Sequence, residues 1–325
     1  MSLDADVIVD RRKMRRKLTF WRVSAIVIAV AAIAVIATLA SSGRSAFTTA
    51  GSIARVNIEG LIRSDQDRVE ALERLEKSNA AAVIVHINSP GGTTAGSEQL
   101  YDSLTRLKAK KPMVVVVEGL AASGAYITAL ASDHIVAQQT SLVGSIGVLF
   151  QFPNFSELLK TVGVKVEEVK SSPLKAAPNG FEPTSPEARD ALDALVKDSY
   201  AWFKDLVKTR RGMNDDQLAK VSDGRVFTGR QAVDLKLIDQ LGDEKTAVEW
   251  LVAQKHVAKD LPVRDYNLGP RFSALSLFRT AFSITLEALG LSSIAHQIEH
   301  AGLIQGADRF GLDGMLALWQ PAAGN

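Results

Sequence analysis

The sequence predicts an α/β fold built on a largely parallel sheet. Three observations lead to it. Short, almost wholly apolar runs such as Ala81–Asn88 and Met113–Val117 have the length and content of strands buried on both faces. Helical patterns separate them, as right-handed crossovers between parallel strands require. Glycine-rich breaks stand at their ends, at Ser89-Pro90-Gly91-Gly92 and at Gly119.

In order, Ile53–Ile62 alternates apolar and polar residues like a strand. Gln66–Lys77 reads as a helix with its charges on one face, and Ala81–Asn88 as a buried strand. Thr93–Lys110 reads as a helix and Met113–Val117 as a second buried strand. A short helix from about Ser123 to Ala131 and a strand near Ile135–Ala137 follow, and Phe155–Val162 is helix-like. Ser185-Pro186-Glu187 places an N-cap, a first-position proline and an acid together, so a helix starts there and runs to Arg211, where Gly212 ends it. Residues 225–250 supply a short strand and two helices. The tail from Phe272 is apolar and broken by glycines; amphipathic helices on a bilayer, a partner-binding arm and part of the core are all compatible with it, and helices packed against an oligomer are preferred.

The 325 residues suffice for one large domain plus an extra segment, and 46% apolar against 23% charged residues supports a packed core. The chain has no cysteine, which excludes a disulfide framework, a zinc–thiolate site and a cysteine nucleophile. Seven Lys/Arg against three Asp give residues 1–22 a charge of +4, so the remainder of a chain of net +2 carries −2. The basic character belongs to the N-terminal tail, and no nucleic-acid-binding face is indicated.

Val23–Ala40 is uncharged and, with Phe20 and Trp21, reaches the roughly 20 apolar residues that span a bilayer. The preceding basic cluster keeps the N-terminus cytoplasmic. The expected organisation is a cytoplasmic tail (1–22), one transmembrane helix (23–41), an extracytoplasmic domain (42–265) and a C-terminal helical extension (266–325). The membrane is then the inner, cytoplasmic one. A cleaved signal peptide and a buried helix are the competing readings; the run is long for a signal sequence, although Ala37 and Ala40 leave cleavage open.

The chemistry concentrates at two strand ends. Gly119–Tyr126 carries Ser123 where an apolar strand gives way to a helix, among small residues and beside the unpaired N–H groups of a helix start, which suit an oxyanion. Residue 121 is Ala, so this is not a Gly-x-Ser-x-Gly elbow. Gly91 and Gly92 end the neighbouring strand and can turn N–H groups into a cleft. Read singly, Ser123 is more often a helix cap and the glycines an ordinary turn; two such turns at adjacent strand ends carry more weight. The histidines offer no base. His134 is 11 residues beyond Ser123, about 16 Å along a helix, His86 lies inside a strand, and His256, His296 and His300 fall in late helical segments. Lys175 sits among apolar residues and prolines (Ser171–Pro178) with no carboxylate before Glu182. Burial without an acidic partner favours a neutral amine, which is what a lysine base needs. Taken alone, a loop lysine is usually solvated.

Together these pieces resemble signal peptide peptidase A, in its short, single-repeat bacterial form, within the ClpP/crotonase superfamily. The matching segments are Asn88–Gly92, Ala121–Tyr126, Gly144-Ser145-Ile146-Gly147-Val148, Lys175 in its Pro/Ala loop, and Gly224–Gly229 with Gln231–Gly242, over roughly residues 53–250. The resemblance implies a ClpP/crotonase-like fold of repeated β-β-α units and a serine peptidase without cofactor or metal. It implies Ser123 as nucleophile, Lys175 as general base and Ser145 as the hydroxyl orienting the lysine. The N–H groups of Gly124 and of Gly92, preferred over Gly91, would form the oxyanion hole. It implies a homo-oligomer, an octamer over the membrane, with each Ser–Lys pair drawn from two subunits. The implied substrates are signal-peptide remnants and other hydrophobic peptides. A membrane-bound ClpP-class protease paired with a stomatin-like protein, a crotonase-like acyl-CoA enzyme and an inactive membrane scaffold are the alternatives.

Overall fold

In the computed structural model the described residues are Lys17, Trp21, 51–269 and 316–318. The expected transmembrane helix, 23–41, and most of the expected C-terminal helical extension lie outside them.

The strands are β1 (Ser52–Glu59), β2 (Ala80–Ser89), β3 (Gly91–Thr93), β4 (Met113–Ala122), β5 (His134–Ala137), β6 (Leu142–Gly144), β7 (Val226–Thr228), β8 (Gln240–Leu241), β9 (Val263–Asp265) and β10 (Leu316–Leu318). The helices are α1 (Gln66–Glu76), α2 (Thr94–Lys108), α3 (Gly124–Ala129), α4 (Ser156–Thr161), α5 (Pro186–Arg211), α6 (Asp215–Val221), α7 (Gly229–Asp234) and α8 (Glu244–Lys255). The main sheet runs β7-β6-β4-β2-β1-β9, with β5 joining β4 and β8. Every pair is parallel except β6–β7.

Val114 to Val117 are fully buried because helices cover both faces of the sheet. One face packs on α2, α3 and α5 through Val115, Val117, Leu104, Tyr126, Phe203 and Val207. The other packs on α8 through Ile84, Val114, Val116 and Leu251. Each such side chain contributes about 1.5–3 kcal/mol over its exposed state.

β4 continues past its apolar run and changes partners midway. Val114–Val117 pair with β5, whereas Leu120–Ala122 pair with β6, and the register against β2 shifts between Ile87 and Ser89. Gly119 marks the irregularity: a Cβ there would stand 2.9 Å from Asn88 Oδ1. The displaced end of β4 aims residue 123 at the next turn.

Local chemistry explains the helix ends. Ser185 accepts the Ala188 N–H, Pro186 opens α5, and Gly212 closes it in the left-handed conformation (φ 59°). Asp65 and Thr93 cap α1 and α2 in the same way. Asn214/Gln217 and Thr228/Gln231 form capping boxes for α6 and α7. In the C-terminal extension, Leu316–Leu318 is a strand where a helix was expected; its backbone pairs antiparallel with β3.

Candidate active site

Ser123 caps α3 with φ 56° and ψ −117°, the conformation of the first central residue of a type II′ turn, where glycine dominates. The sheet imposes it. The Ser123 N–H donates to the Gly144 carbonyl at 2.7 Å, continuing the β4–β6 ladder, while the Ser123 carbonyl accepts from Tyr126 and Ile127. Buried Tyr126 anchors α3 by donating its hydroxyl to the Leu237 carbonyl at 2.7 Å, and burial pushes its phenol pKa up. Ser123 is only 1% exposed, and its Oγ lies 3.4 Å from the Gly147 carbonyl. Holding a non-glycine residue here costs on the order of 1–3 kcal/mol, and such strain gathers at functional sites.

The two neighbouring turns frame this serine. At the end of β6, Gly144 (φ 104°) and Ser145 (φ 52°) turn the chain, and the Ser145 N–H donates to the Arg225 carbonyl at 2.8 Å. Ser145 is 7% exposed. At the end of β2, Ser89 Oγ donates to the Gly60 carbonyl and accepts the Gly91 N–H at 3.1 Å, with Gly91 at φ 99°. The Gly91 carbonyl accepts from Ile62 and the Thr93 N–H donates to Ile62, both at 2.9 Å. Alternation along a strand therefore turns the N–H and carbonyl of Gly92 the other way. Gly92 has to be glycine: a Cβ would meet the Ile62 carbonyl oxygen at 1.7 Å. Gly91 spends its N–H on Ser89, whereas the polar groups of Gly92 face the edge along which Leu316–Leu318 pairs with β3. The Gly124 N–H, first in α3, has no acceptor within its helix.

Lys175 lies on an exposed loop. Its loop is closed by turns from Ser172 to Lys175 and Leu174 to Ala177, and Ala176 has φ 59°. Lys170 clamps the flanking segments by contacting Glu168 at 2.7 Å and Glu182 at 2.5 Å. The Glu168 and Glu182 hydrogen bonds raise the Lys170 pKa, and the Lys170 hydrogen bond lowers that of Glu182. Lys175 itself is exposed, and among the described residues no hydrogen bond joins it to Ser123 or Ser145. The burial expected for Lys175 is therefore absent within one chain, because residues 151–185, an exposed arm of the chain, contribute nothing to either core cluster. Phe155, Leu158, Val162, Val169 and Phe181 on this arm are all exposed.

The described histidines are engaged elsewhere. His86 contacts Glu118 at 2.9 Å and Glu244 at 2.8 Å on the α8 face of the sheet. His134 stacks on Trp250 with ring centroids 4.6 Å apart, and His256 ends α8. Sequence reasoning missed the Gly147 and Arg225 carbonyls, which hold the two serines through backbone atoms and so leave no residue-type signal.

Residues 105–258 match the model of Peptidase family S49, and residues 59–141 match that of Clp protease. A Synechocystis sp. protein described as a protease is 36% identical over 205 residues, 62% of this chain and 74% of the relative. Protease 4 of Haemophilus influenzae is 30% identical over 236 residues, 68% of this chain but only 38% of the relative. The chloroplastic serine protease SPPA of Arabidopsis thaliana is 30% identical over 206 residues, 61% of this chain and 30% of the relative. The chain is thus a serine peptidase with a ClpP-like α/β fold. Within that class, the chain belongs to peptidase family S49.

Proposed function

We propose that the chain is a membrane-anchored endopeptidase that cleaves signal-peptide remnants and other hydrophobic peptides through a Ser123–Lys175 dyad. The observation that carries the reading is Ser123: a buried hydroxyl held in a strained turn, beside the N–H of Gly124 at the start of α3 and the outward-turned N–H of Gly92. Ser123 Oγ attacks the scissile carbonyl while neutral Lys175 takes the hydroxyl proton. The Gly124 and Gly92 N–H groups hold the developing oxyanion. The protonated lysine gives its proton to the leaving amine, an acyl-enzyme forms on Ser123, and the lysine then activates the water that hydrolyses it. Ser145 orients the lysine amine. No metal or cofactor enters the reaction.

The lysine comes from a neighbouring copy. The exposed, apolar-studded arm that carries Lys175 supports this, since docking it on a second subunit would desolvate the amine and cover Phe155, Leu158 and Phe181 together. An octamer is the expected assembly. The apolar run at 23–41 supplies the anchor, with the peptidase domain outside the cytoplasmic membrane, next to peptides left in the bilayer. The test is labelling of the purified full-length protein by a fluorophosphonate, with the modified residue mapped by mass spectrometry. Labelling at Ser123, absent in Ser123→Ala, is expected. Equal labelling of both proteins would overturn the assignment.

A further inference from the structure

β3 is a three-residue strand with a neighbour on each side. On one side it bridges to Ile62, and on the other it pairs with β10, placing Leu316 opposite Thr93, Ala317 opposite Gly92 and Leu318 opposite Gly91. Because the Ile62 side uses the groups of Gly91 and Thr93, the polar groups of Gly92 face β10. Ala317 and Gly92 are therefore the hydrogen-bonded kind of antiparallel pair. Cα atoms of β10 also come within 8 Å of those of α3, the helix that begins immediately after Ser123. The strand lies along the edge beside the nucleophile and over the Gly92 N–H.

An extended peptide can reach Ser123 and still satisfy its backbone by adding itself to that same edge. Strand addition binds mainly through main-chain hydrogen bonds and tolerates varied side chains. The edge has room for one strand, and the chain's own residues 316–318 occupy it. We infer that Leu316–Leu318 is an intramolecular competitor for the peptide-binding edge, so that the free site is partly closed until substrate displaces this segment. The inference rests on the reading of Ser123 as nucleophile.

The experiment compares full-length wild type with full-length Ala317→Pro. Proline removes the N–H opposite Gly92 and cannot complete the pairing. Fluorophosphonate labelling of Ser123 and kcat/KM for a hydrophobic peptide are both measured. If the segment holds the edge nine-tenths of the time, both rise about tenfold in the variant, since apparent affinity scales with the fraction of competent sites. A synthetic peptide of residues 313–321 then slows the variant competitively, raising KM without changing kcat. A second full-length variant, with residues 315–319 replaced by a Gly/Ser stretch of equal length, reads the same rates should Ala317→Pro fail to fold. Unchanged rates in folded variants, or a peptide that does not inhibit, would overturn the inference while labelling at Ser123 leaves the nucleophile standing. Absence of labelling in every version would overturn the nucleophile assignment, and this inference with it.

Discussion

The backbone N–H of Ser123 donates to the carbonyl of Gly144 at 2.7 Å, and this bond ties the position of Ser123 to the end of a different strand. Its geometry forces positive φ on a residue with a Cβ, and Gly144 and Ser145, themselves at positive φ, complete the turn on the other side.

The strain at Ser123 separates two replacements that both remove the hydroxyl. Ser123→Ala keeps a Cβ at φ 56°, whereas Ser123→Gly relaxes it. Both variants lose peptidase activity. The glycine variant should nevertheless be more stable than the alanine variant, by about 1 kcal/mol in urea unfolding, even though glycine frees the unfolded chain. Equal stability, or a more stable alanine variant, would mean that the turn is not strained.

Lys175→Arg should be as inactive as Lys175→Ala, because a guanidinium keeps its charge at neutral pH and cannot accept a proton. Turnover within about tenfold of wild type in the arginine variant would show a fixed charge at work instead of a base. Ser145→Ala should be milder, lowering kcat with KM held, as expected of a positioning hydroxyl that water partly replaces. A wild-type kcat would reduce Ser145 to a turn residue.

Away from the site, Arg55 binds Glu244 through two nitrogens, and this lowers the Glu244 pKa below the ordinary carboxylate range, with the His86 hydrogen bond adding to it. A depressed folded-state pKa contributes stability that is fully present above the unfolded value and is lost as pH falls through the folded one. Thermal unfolding of Glu244→Gln against wild type should therefore show a deficit at pH 7 that shrinks below about pH 4.5, the ordinary value. A deficit independent of pH would indicate packing loss without charge.

Most of the scaffold was legible because its signals are local. Ser185, Pro186 and Gly212 mark both ends of α5, and an apolar run bounded by turn residues marks β2. The end of β4 was not legible: Glu118–Ala122 is no longer uniformly apolar, and its strand form rests on pairing with β6 and, at Ala121, with Ser89 of β2. β10 gave no signal either, since three residues carry no periodicity and their pairing is with a distant segment. At the site, the strand–helix junction at Ser123 was marked by the small residues around it, whereas the exposure of Lys175 was not. Spacing along the chain says nothing about which surface will cover an exposed arm.

That gap is where the central claim is most directly tested. Ser123→Ala and Lys175→Ala proteins, each with its own affinity tag, are co-expressed, and oligomers carrying both tags are purified. Cleavage of a hydrophobic signal-peptide substrate is then measured. If Ser123 of one copy works with Lys175 of another, each variant is inactive alone, and the mixed oligomers recover part of the wild-type rate at interfaces where both groups are intact. No recovery in oligomers shown to contain both variants would contradict the shared dyad.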